Sequence, residues 1–184
     1  MRIAAGRHKG RTIIAPEGLT TRPTADRVRV SLFDMLWHAP WGGRDVVNGA
    51  RVLDAFAGTG ALGLEALSRG AAHASFIETD AAALAALRQN ITRCAELTRT
   101  KVLPADALKP PRASQPCSLI FLDPPYGQGF VGQALPALAK AGWIAPGALV
   151  AAEFGREFAE TPEGFELLAE RSHGQACLLF LRAP

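Results

Sequence analysis

The tetrapeptide Asp123-Pro124-Pro125-Tyr126 places a carboxylate and an aromatic ring directly after an apolar run, Cys117–Leu122. The run predicts a buried strand. Neither proline can donate to a sheet ladder, so the strand must end there in a stiff turn. In open α/β sheets, ligands bind at the carboxyl ends of the strands. The tetrapeptide is therefore a candidate binding or catalytic turn, and a turn that merely ends a strand is the alternative.

A second candidate site follows the first strand that we predict in the α/β part of the chain. Gly58, Gly60 and Gly63 have the G-x-G-x-x-G spacing, and Glu78 lies 20 residues after Gly58. This pattern is the dinucleotide-binding fingerprint, in which the carboxylate accepts hydrogen bonds from ribose hydroxyls. It predicts a ligand that contains a nucleoside. The alternative is that the glycines only allow a strand and a helix to pack tightly.

Two further acids argue against a dinucleotide such as NAD. Asp54 precedes the glycine loop, where a carboxylate would repel a pyrophosphate but could bind an ammonium group directly or through water. Asp106 follows the third predicted strand and could accept a hydrogen bond from an adenine amino group. A ligand that carries adenine, ribose and an amine without a pyrophosphate is S-adenosylmethionine.

The composition is that of a globular protein of one ordinary domain, with 184 residues of which 48% are hydrophobic and 20% charged. No apolar run approaches the roughly 18 residues of a membrane helix, and the N-terminus lacks the apolar region of a signal peptide. Three scattered cysteines, Cys94, Cys117 and Cys177, match no metal-ligand spacing. They indicate reduced core residues of a cytoplasmic protein.

Positive charge is concentrated at the N-terminus. The net charge is +3, yet residues 1–30 alone hold seven basic and two acidic side chains, a local charge of +5. This asymmetry indicates contact with a polyanion, with a solvated basic face as the alternative. The candidate contact residues are Arg7, Lys9, Arg11, Arg22 and Arg27.

Hydrophobic periodicity divides the chain into a basic arm with a helix, residues 1–40, and one α/β domain, residues 41–184. Val28, Leu32 and Leu36 recur at helical spacing in the first part. Strands and helices then alternate, which implies a mainly parallel sheet with helices on both faces. The predicted strands are 52–57, 74–77, 101–103, 117–122 and 148–154, followed by an antiparallel hairpin of 165–170 and 176–181.

Four motifs together resemble class I amino-group methyltransferases: D-x-F-x-G-x-G at 54–60, E-x-D at 78–80, D-A at 106–107 and D-P-P-Y at 123–126. Over nearly the whole chain, the sequence further resembles the small-subunit ribosomal RNA guanine-N2 methyltransferase family. Two positions depart from that family, Val30 where an acid is usual and His173 where an aromatic residue is common. The matching segments are 2–6, 9–11, 22–29, 58–70 and 174–175.

The resemblance implies a Rossmann-like fold with a mainly parallel seven-stranded sheet and an antiparallel C-terminal hairpin. It also implies methyl transfer from S-adenosylmethionine to the exocyclic N2 of one guanine in small-subunit ribosomal RNA. Enzymes of this family act on an assembled or partly assembled subunit. We expect a monomer that needs no metal and contacts no membrane.

The same chemistry assigns roles to residues. Asp123 and the Pro124 carbonyl would accept the two amine hydrogens, and Tyr126 would stack on the base. Glu78 sits at a strand end, so we expect its loss to weaken cofactor binding with little change in stability. The predicted cofactor contacts are Asp54, Phe56, Ala57, Gly58, Thr59, Gly60, Glu78, Thr79, Asp106 and Ala107.

Three alternatives stay open at this stage. The D-P-P-Y turn recognises only an NH2 group, so adenine N6 or cytosine N4 of RNA or DNA would also fit. An NAD-dependent dehydrogenase shares the glycine fingerprint, but the sequence offers no evident catalytic His or Lys beside a substrate domain. A catalytically silent RNA-binding assembly factor would not need Asp123 or the cofactor acids.

Overall fold

One seven-stranded sheet lies between helices on its two faces in the computed structural model, which describes residues 1–16, 23–125, 129–155, 161–173 and 176–184. The helices are α1 (Pro23–His38), α2 (Ala61–Ser68), α3 (Ala81–Arg93) and α4 (Phe130–Lys140), with short 3₁₀ turns at Arg44–Val46 and Leu97–Arg99. The strands are β1 (Arg51–Ala55), β2 (His73–Glu78), β3 (Thr100–Pro104), β4 (Cys117–Leu122), β5 (Ile144–Gly155), β6 (Glu166–His173) and β7 (Ala176–Arg182).

The strand order is β3-β2-β1-β4-β5-β7-β6. Strands β1 to β5 pair in parallel, whereas β7 runs antiparallel to both β5 and β6. This confirms the predicted mainly parallel sheet with an antiparallel C-terminal hairpin. The chain winds outward from β1 in both directions, so the crevice between the ends of β1 and β4 is the topological switch point where ligands bind in such sheets. The tip of the hairpin, 174–175, lies outside the described residues.

Side chains from alternating positions of the strands build a core on each face of the sheet. In β4, Leu119 and Phe121 pack on the face that carries α1, α2 and α3. Ile120 and Leu122 pack on the face that carries α4. The central strands are thus buried on both sides, as expected for parallel strands that read as nearly continuous apolar runs.

Two strands differ from their predicted bounds near the switch point. Strand β1 ends at Ala55 instead of residue 57, because Phe56 adopts a φ of 66° that cannot continue an extended strand. Strand β5 begins at Ile144, earlier than predicted, and its register with β4 shifts between Cys117 and Leu119. None of the described helices is long and apolar enough to cross a membrane.

The first 16 residues form a hairpin-shaped arm that is attached to α2 and α3. A bridge between Arg2 and Thr12 closes the arm, and Ile3 and Ile13 enter the core with 2% and 3% of their surface exposed. The arm thus shares the core of the α/β domain, and the division of the chain at residue 40 remains a prediction.

A buried carboxylate on α2 attaches the base of the arm. The Glu65 side chain accepts hydrogen bonds from the backbone N–H groups of Ala4 and Ala5 at 2.8 and 3.1 Å. It also pairs with Arg69 at 2.8 Å and lies 3.7 Å from the Arg29 guanidinium. At the turn of the arm, the His8 ring contacts the Glu96 carboxylate at 2.5 Å. The arm is therefore held in one place by its main chain and by buried polar contacts.

The turn of the arm approaches α2 so closely that Gly6 has no room for a side chain. A Cβ at Gly6 would lie 1.9 Å from the backbone oxygen of Ser68, whereas a Cβ at Gly10 would meet no atom within 4 Å. Both glycines have φ near 80°, at +80° and +83°, so alanine strains the backbone equally at the two positions. We expect Gly6→Ala to lower the free energy of unfolding by about 2 kcal/mol more than Gly10→Ala, because only the first also overpacks the interface.

Urea denaturation of the two variants measures this difference, and Gly10→Ala is the matched control. Equal losses of stability would show that the contact between the arm and α2 is not maintained in solution.

Candidate active site

Three carboxylates lie near the carboxyl edge of the sheet, and one of them, Asp54, interacts electrostatically with the other two. Asp54 lies in β1, Glu78 ends β2, and Asp123 follows β4. Asp54 is 1% exposed, and its Oδ2 accepts a hydrogen bond from Gly63 N at 2.8 Å. Burial raises the pKa of Asp54 well above its usual range; the Gly63 hydrogen bond opposes this shift, and the negative charges of Asp123 and Glu78 add to it. The edge is therefore built to favour a cationic ligand.

The glycine loop between β1 and α2 has one glycine that leaves space and two that packing requires. A Cβ at Gly60 would lie 2.3 Å from Leu87, and one at Gly63 would lie 2.3 Å from Phe76. Gly58 has a φ of 52°, and a Cβ there would meet nothing within 4 Å. Tight packing thus accounts for Gly60 and Gly63, while the loop at Gly58 borders open space that a ligand can enter.

Glu78 joins the end of β2 to this loop. Its Oε2 accepts from Gly58 N at 2.7 Å, and its Oε1 accepts from Thr79 N at 2.6 Å and Asp80 N at 2.8 Å. A carboxylate offers about four acceptor positions, so one position on Oε2 remains for a ribose hydroxyl. The sequence predicted that this carboxylate accepts both ribose hydroxyls and that its loss changes stability little. The three backbone hydrogen bonds leave one position on Oε2 for a hydroxyl and give Glu78 a part in holding the loop.

We expect Glu78→Ala to weaken S-adenosylmethionine binding by about 1.5–3 kcal/mol, the range for a hydrogen bond to a charged group. Stability should also fall, by about 1–3 kcal/mol, because three backbone N–H groups lose their acceptor. Calorimetric titration and thermal unfolding measure the two effects. Glu163→Ala, which removes an exposed carboxylate elsewhere, is the control. Unchanged affinity in Glu78→Ala would overturn the ribose assignment.

The other predicted cofactor residues surround the same crevice. The Phe56 ring stacks on Phe130 of α4 with centroids 6.0 Å apart. Ala57 is buried, and the Thr59 carbonyl accepts from the Asn90 side chain at 3.1 Å. Their contacts with a cofactor remain a prediction.

Asn90 is a residue that sequence analysis missed. It is 1% exposed, exchanges two hydrogen bonds with the backbone of Ile14 and donates a third to Thr59 O. It therefore connects the arm to the glycine loop. The sequence signal that could have drawn attention to Asn90 was a polar residue inside an amphipathic helical pattern.

The loop after β3 borders the crevice with one open acid and one buried alanine. Asp106 is exposed, and its Oδ1 accepts from Leu108 N at 2.8 Å, which leaves the other carboxylate oxygen for an adenine amino group. Ala107 is 3% exposed and packs in the core beneath it. Thr79 is exposed at the end of β2. These positions agree with the predicted placement, and the contacts themselves remain predictions.

The proposed catalytic turn begins with Asp123, which keeps an exposed face, and Pro124, which is buried. Desolvation by the surrounding protein, followed by the charge and hydrogen bond of Glu153, raises the pKa of Asp123 to about 7. Water reaches the exposed face of Asp123 and offsets part of this desolvation. Tyr126 lies outside the described residues.

Four of the five predicted RNA-contacting residues are described, and all four are exposed: Arg7, Lys9, Arg11 and Arg27. Three of them lie on the arm, where the Arg11 guanidinium also contacts the backbone oxygen of Arg93. Arg27 lies on α1. Arg22 lies outside the described residues. The arm thus presents three basic side chains on a main chain that is fixed to α2 and α3.

The doubly wound sheet, the antiparallel seventh strand and the acids at the switch point define a class I methyltransferase fold. The chain belongs to the family described as conserved hypothetical protein 95, which matches residues 1–182. It is 36% identical over 178 residues to ribosomal RNA small subunit methyltransferase D of Escherichia coli K12, covering 95% of this chain and 86% of the relative. The predicted family relationship is confirmed.

Two further comparisons support this relationship. The Haemophilus influenzae protein of the same name is 36% identical over 183 residues, which cover 95% of this chain and 89% of that protein. The solved structure of the Escherichia coli protein yhhF superposes with a TM-score of 0.84 at 34% identity, covering 100% of this chain and 97% of the other. The similarity therefore extends over the arm as well as the α/β domain.

Proposed function

We propose that this protein transfers a methyl group from S-adenosylmethionine to the exocyclic N2 of a guanine in small-subunit ribosomal RNA. The observation that carries the proposal is the set of acids at the switch point, in which the charges of Glu78 and Asp123 both act on Asp54. S-adenosylmethionine carries an ammonium and a sulfonium, which offset that repulsion. The pyrophosphate of a dinucleotide would add to it.

The residues present fit this cofactor in three further ways. Gly58 leaves open space beside the loop, Glu78 retains an acceptor position for a ribose hydroxyl, and Asp106 retains an oxygen for the adenine amine. When bound, S-adenosylmethionine supplies an electrophilic methyl group on sulfur. Among the described residues, no group of three His, Cys, Asp or Glu side chains could hold a metal ion.

The turn after β4 explains how an unreactive amine could become a nucleophile. The lone pair of an exocyclic base amine is delocalised into the ring. Asp123 and the Pro124 carbonyl would accept its two N–H groups, which lets the nitrogen pyramidalise and stabilises positive charge as it develops there. Placement of the amine in line with the methyl group supplies much of the remaining acceleration. Tyr126 would stack on the base after the base leaves its own stack.

The choice of substrate rests on the relatives and on the arm. The Escherichia coli and Haemophilus influenzae relatives are ribosomal RNA small subunit methyltransferases, and the similarity includes the basic arm. Arg7, Lys9 and Arg11 are exposed on that arm and suit contact with RNA phosphates. We therefore favour ribosomal RNA, within an assembled or assembling subunit, over DNA.

The nucleoside produced tests the acceptor atom directly. After reaction, the RNA is digested to nucleosides, and the methylated product is identified by chromatography and mass spectrometry. N2-methylguanosine is the expected product. N6-methyladenosine or N4-methylcytidine would retain the amino-methyltransferase mechanism but overturn the guanine assignment, and the absence of any methylated nucleoside would contradict the proposed activity.

A further inference from the structure

A second carboxyl group lies beside Asp123, and neither the sequence motifs nor the mechanism above uses it. Strands β4 and β5 are parallel with Leu122 opposite Ala152, so Asp123, which directly follows β4, and Glu153 of β5 are neighbours. Paired positions of parallel strands point to the same face of a sheet. The two side chains are indeed hydrogen-bonded to each other. The fold itself therefore sets this pair, through the register of its two central strands.

Apolar residues, a thiol and further acids lie on the neighbouring strands. Strand β7 pairs with β5 in antiparallel fashion, and its Leu178 lies opposite Glu153. The next residue, Cys177, is a buried thiol in contact with Glu170. On the other side of β4, the acidic Asp54 interacts with Asp123. The charge of Glu153 opposes the ionisation of Asp123, and the charge of Asp123 in turn opposes that of Asp54.

Two hydrogen-bonded carboxyl groups cannot both ionise easily, and such pairs hold one proton between them. We propose that Glu153 is a positioning residue that acts through Asp123, so that the two carboxylates together take up the proton released by the amine during methyl transfer. This inference rests on the proposed function. It adds the destination of the proton, which Asp123 alone would accept weakly.

The amine lone pair forms the N–C bond while the C–S bond breaks and its electron pair stays on sulfur, which becomes a neutral thioether. The nitrogen then carries one proton too many and gives it to a carboxylate oxygen of Asp123. The proton is held between Asp123 and Glu153, and it leaves to water through the exposed face of Asp123 before the next turnover.

The carboxyl pair predicts that the rate of methyl transfer rises with pH. The ionised pair is the active form, because a proton already held between the carboxyl groups blocks acceptance of the amine hydrogens. Since the pKa of Asp123 is raised to about 7, the methyl-transfer rate at saturating substrate should rise with pH through neutrality and then level off. Desolvation is the largest cause of the raised pKa of Asp123, and the neighbouring Glu153 carboxylate is the next. Both therefore set the pH at which the rate rises.

Glu153→Gln tests the proposal with a side chain of the same shape. The rising limb of the pH–rate profile should move to lower pH by at least about one unit, because Asp123 loses its charged neighbour. The plateau rate should fall about tenfold, because Asp123 becomes a weaker base. S-adenosylmethionine affinity should stay within about twofold. Glu166→Gln, the same change at the exposed sheet edge, should leave the profile unchanged.

A second measurement needs no substrate and separates the proposed carboxyl pair from the proposed function. Carbon-13 NMR of the full chain labelled at Asp and Glu carboxyls should show Asp123 titrating near neutrality, and in the usual acidic range in Glu153→Gln. A titration in the acidic range in the unaltered protein, or a pH–rate profile that Glu153→Gln does not move, would overturn the pair. A neutral titration without any methyl transfer to RNA would instead overturn the proposed function.

Discussion

Replacement of Asp123 by alanine is expected to abolish methyl transfer, by at least about a thousandfold, while S-adenosylmethionine affinity stays within a few-fold. Asp123 is assigned to the acceptor amine, where it both accepts a hydrogen bond and stabilises the charge that develops on nitrogen. The cofactor assignment instead uses Asp54, Glu78 and Asp106. Single-turnover kinetics with saturating RNA and calorimetric titration of the cofactor measure the two quantities separately.

Asp123→Asn is the matched variant for this prediction. Its amide oxygen still accepts one hydrogen bond, so it should retain more activity than the alanine variant. A loss of cofactor affinity as large as the loss of turnover would move Asp123 into the cofactor site and overturn the mechanism.

Asp123→Asn should also change how the stability of the protein depends on pH. The folded-state pKa of Asp123 is raised above the value of an unfolded aspartate, so the folded protein binds the extra proton between about pH 4 and pH 7. Stability contributed by this group is therefore lost as the pH rises through that window. Asp123→Asn should remove this loss, and urea denaturation at pH 5 and pH 8 measures it. If the free energy of unfolding changed by the same amount between pH 5 and pH 8 in the unaltered protein and in Asp123→Asn, the raised pKa would be contradicted.

Changing Arg7, Lys9 and Arg11 together to alanine is expected to weaken RNA binding on the order of a hundredfold at physiological salt. Three lost phosphate contacts would lower the slope of log K against log salt concentration by about 2–3, from roughly 0.7–0.9 per contact. Cofactor affinity should not change. Stability should change little, because the arm is held by Ile3, Ile13 and its main-chain contacts with Glu65 rather than by these exposed side chains.

A charge-matched control separates local contact from overall charge. Lys101, Arg112 and Lys140 are exposed outside the arm, and their joint replacement by alanine removes the same charge. It should leave most of the RNA affinity and its salt dependence in place. If the arm variant lost thermal stability while its RNA affinity remained unchanged, the arm would serve only to cover α2 and α3.

Local sequence signals were sufficient to predict most of the elements and the main acids. Glycine spacing and apolar periodicity placed β1, α2, β2 and β4, and the positions of Asp54, Glu78 and Asp123 at strand ends followed from those elements. These features depend on neighbours within about 20 residues along the chain. The antiparallel hairpin was predictable for the same reason, because its two strands are adjacent in sequence.

Features that depend on long-range register were not predictable in this way. Glu153 lies 30 positions after Asp123, and only the pairing of β4 with β5 shows that the two are neighbours. Glu65 falls within a helical pattern, and its role in holding the arm appears only when residues 4 and 5 are placed against α2. The three backbone hydrogen bonds to Glu78 likewise require the actual path of the glycine loop.

Transfer of a labelled methyl group from S-adenosylmethionine tests directly whether this protein methylates a guanine of small-subunit ribosomal RNA. The purified protein is incubated with small ribosomal subunits that lack the modification, with the corresponding free RNA and with DNA, and the labelled nucleotide is mapped. We expect label on the N2 atom of one guanine in small-subunit RNA, strongest with the subunit, and none in a parallel reaction with Asp123→Ala. Label on DNA alone, label scattered over many nucleotides, or equal labelling by Asp123→Ala would contradict it.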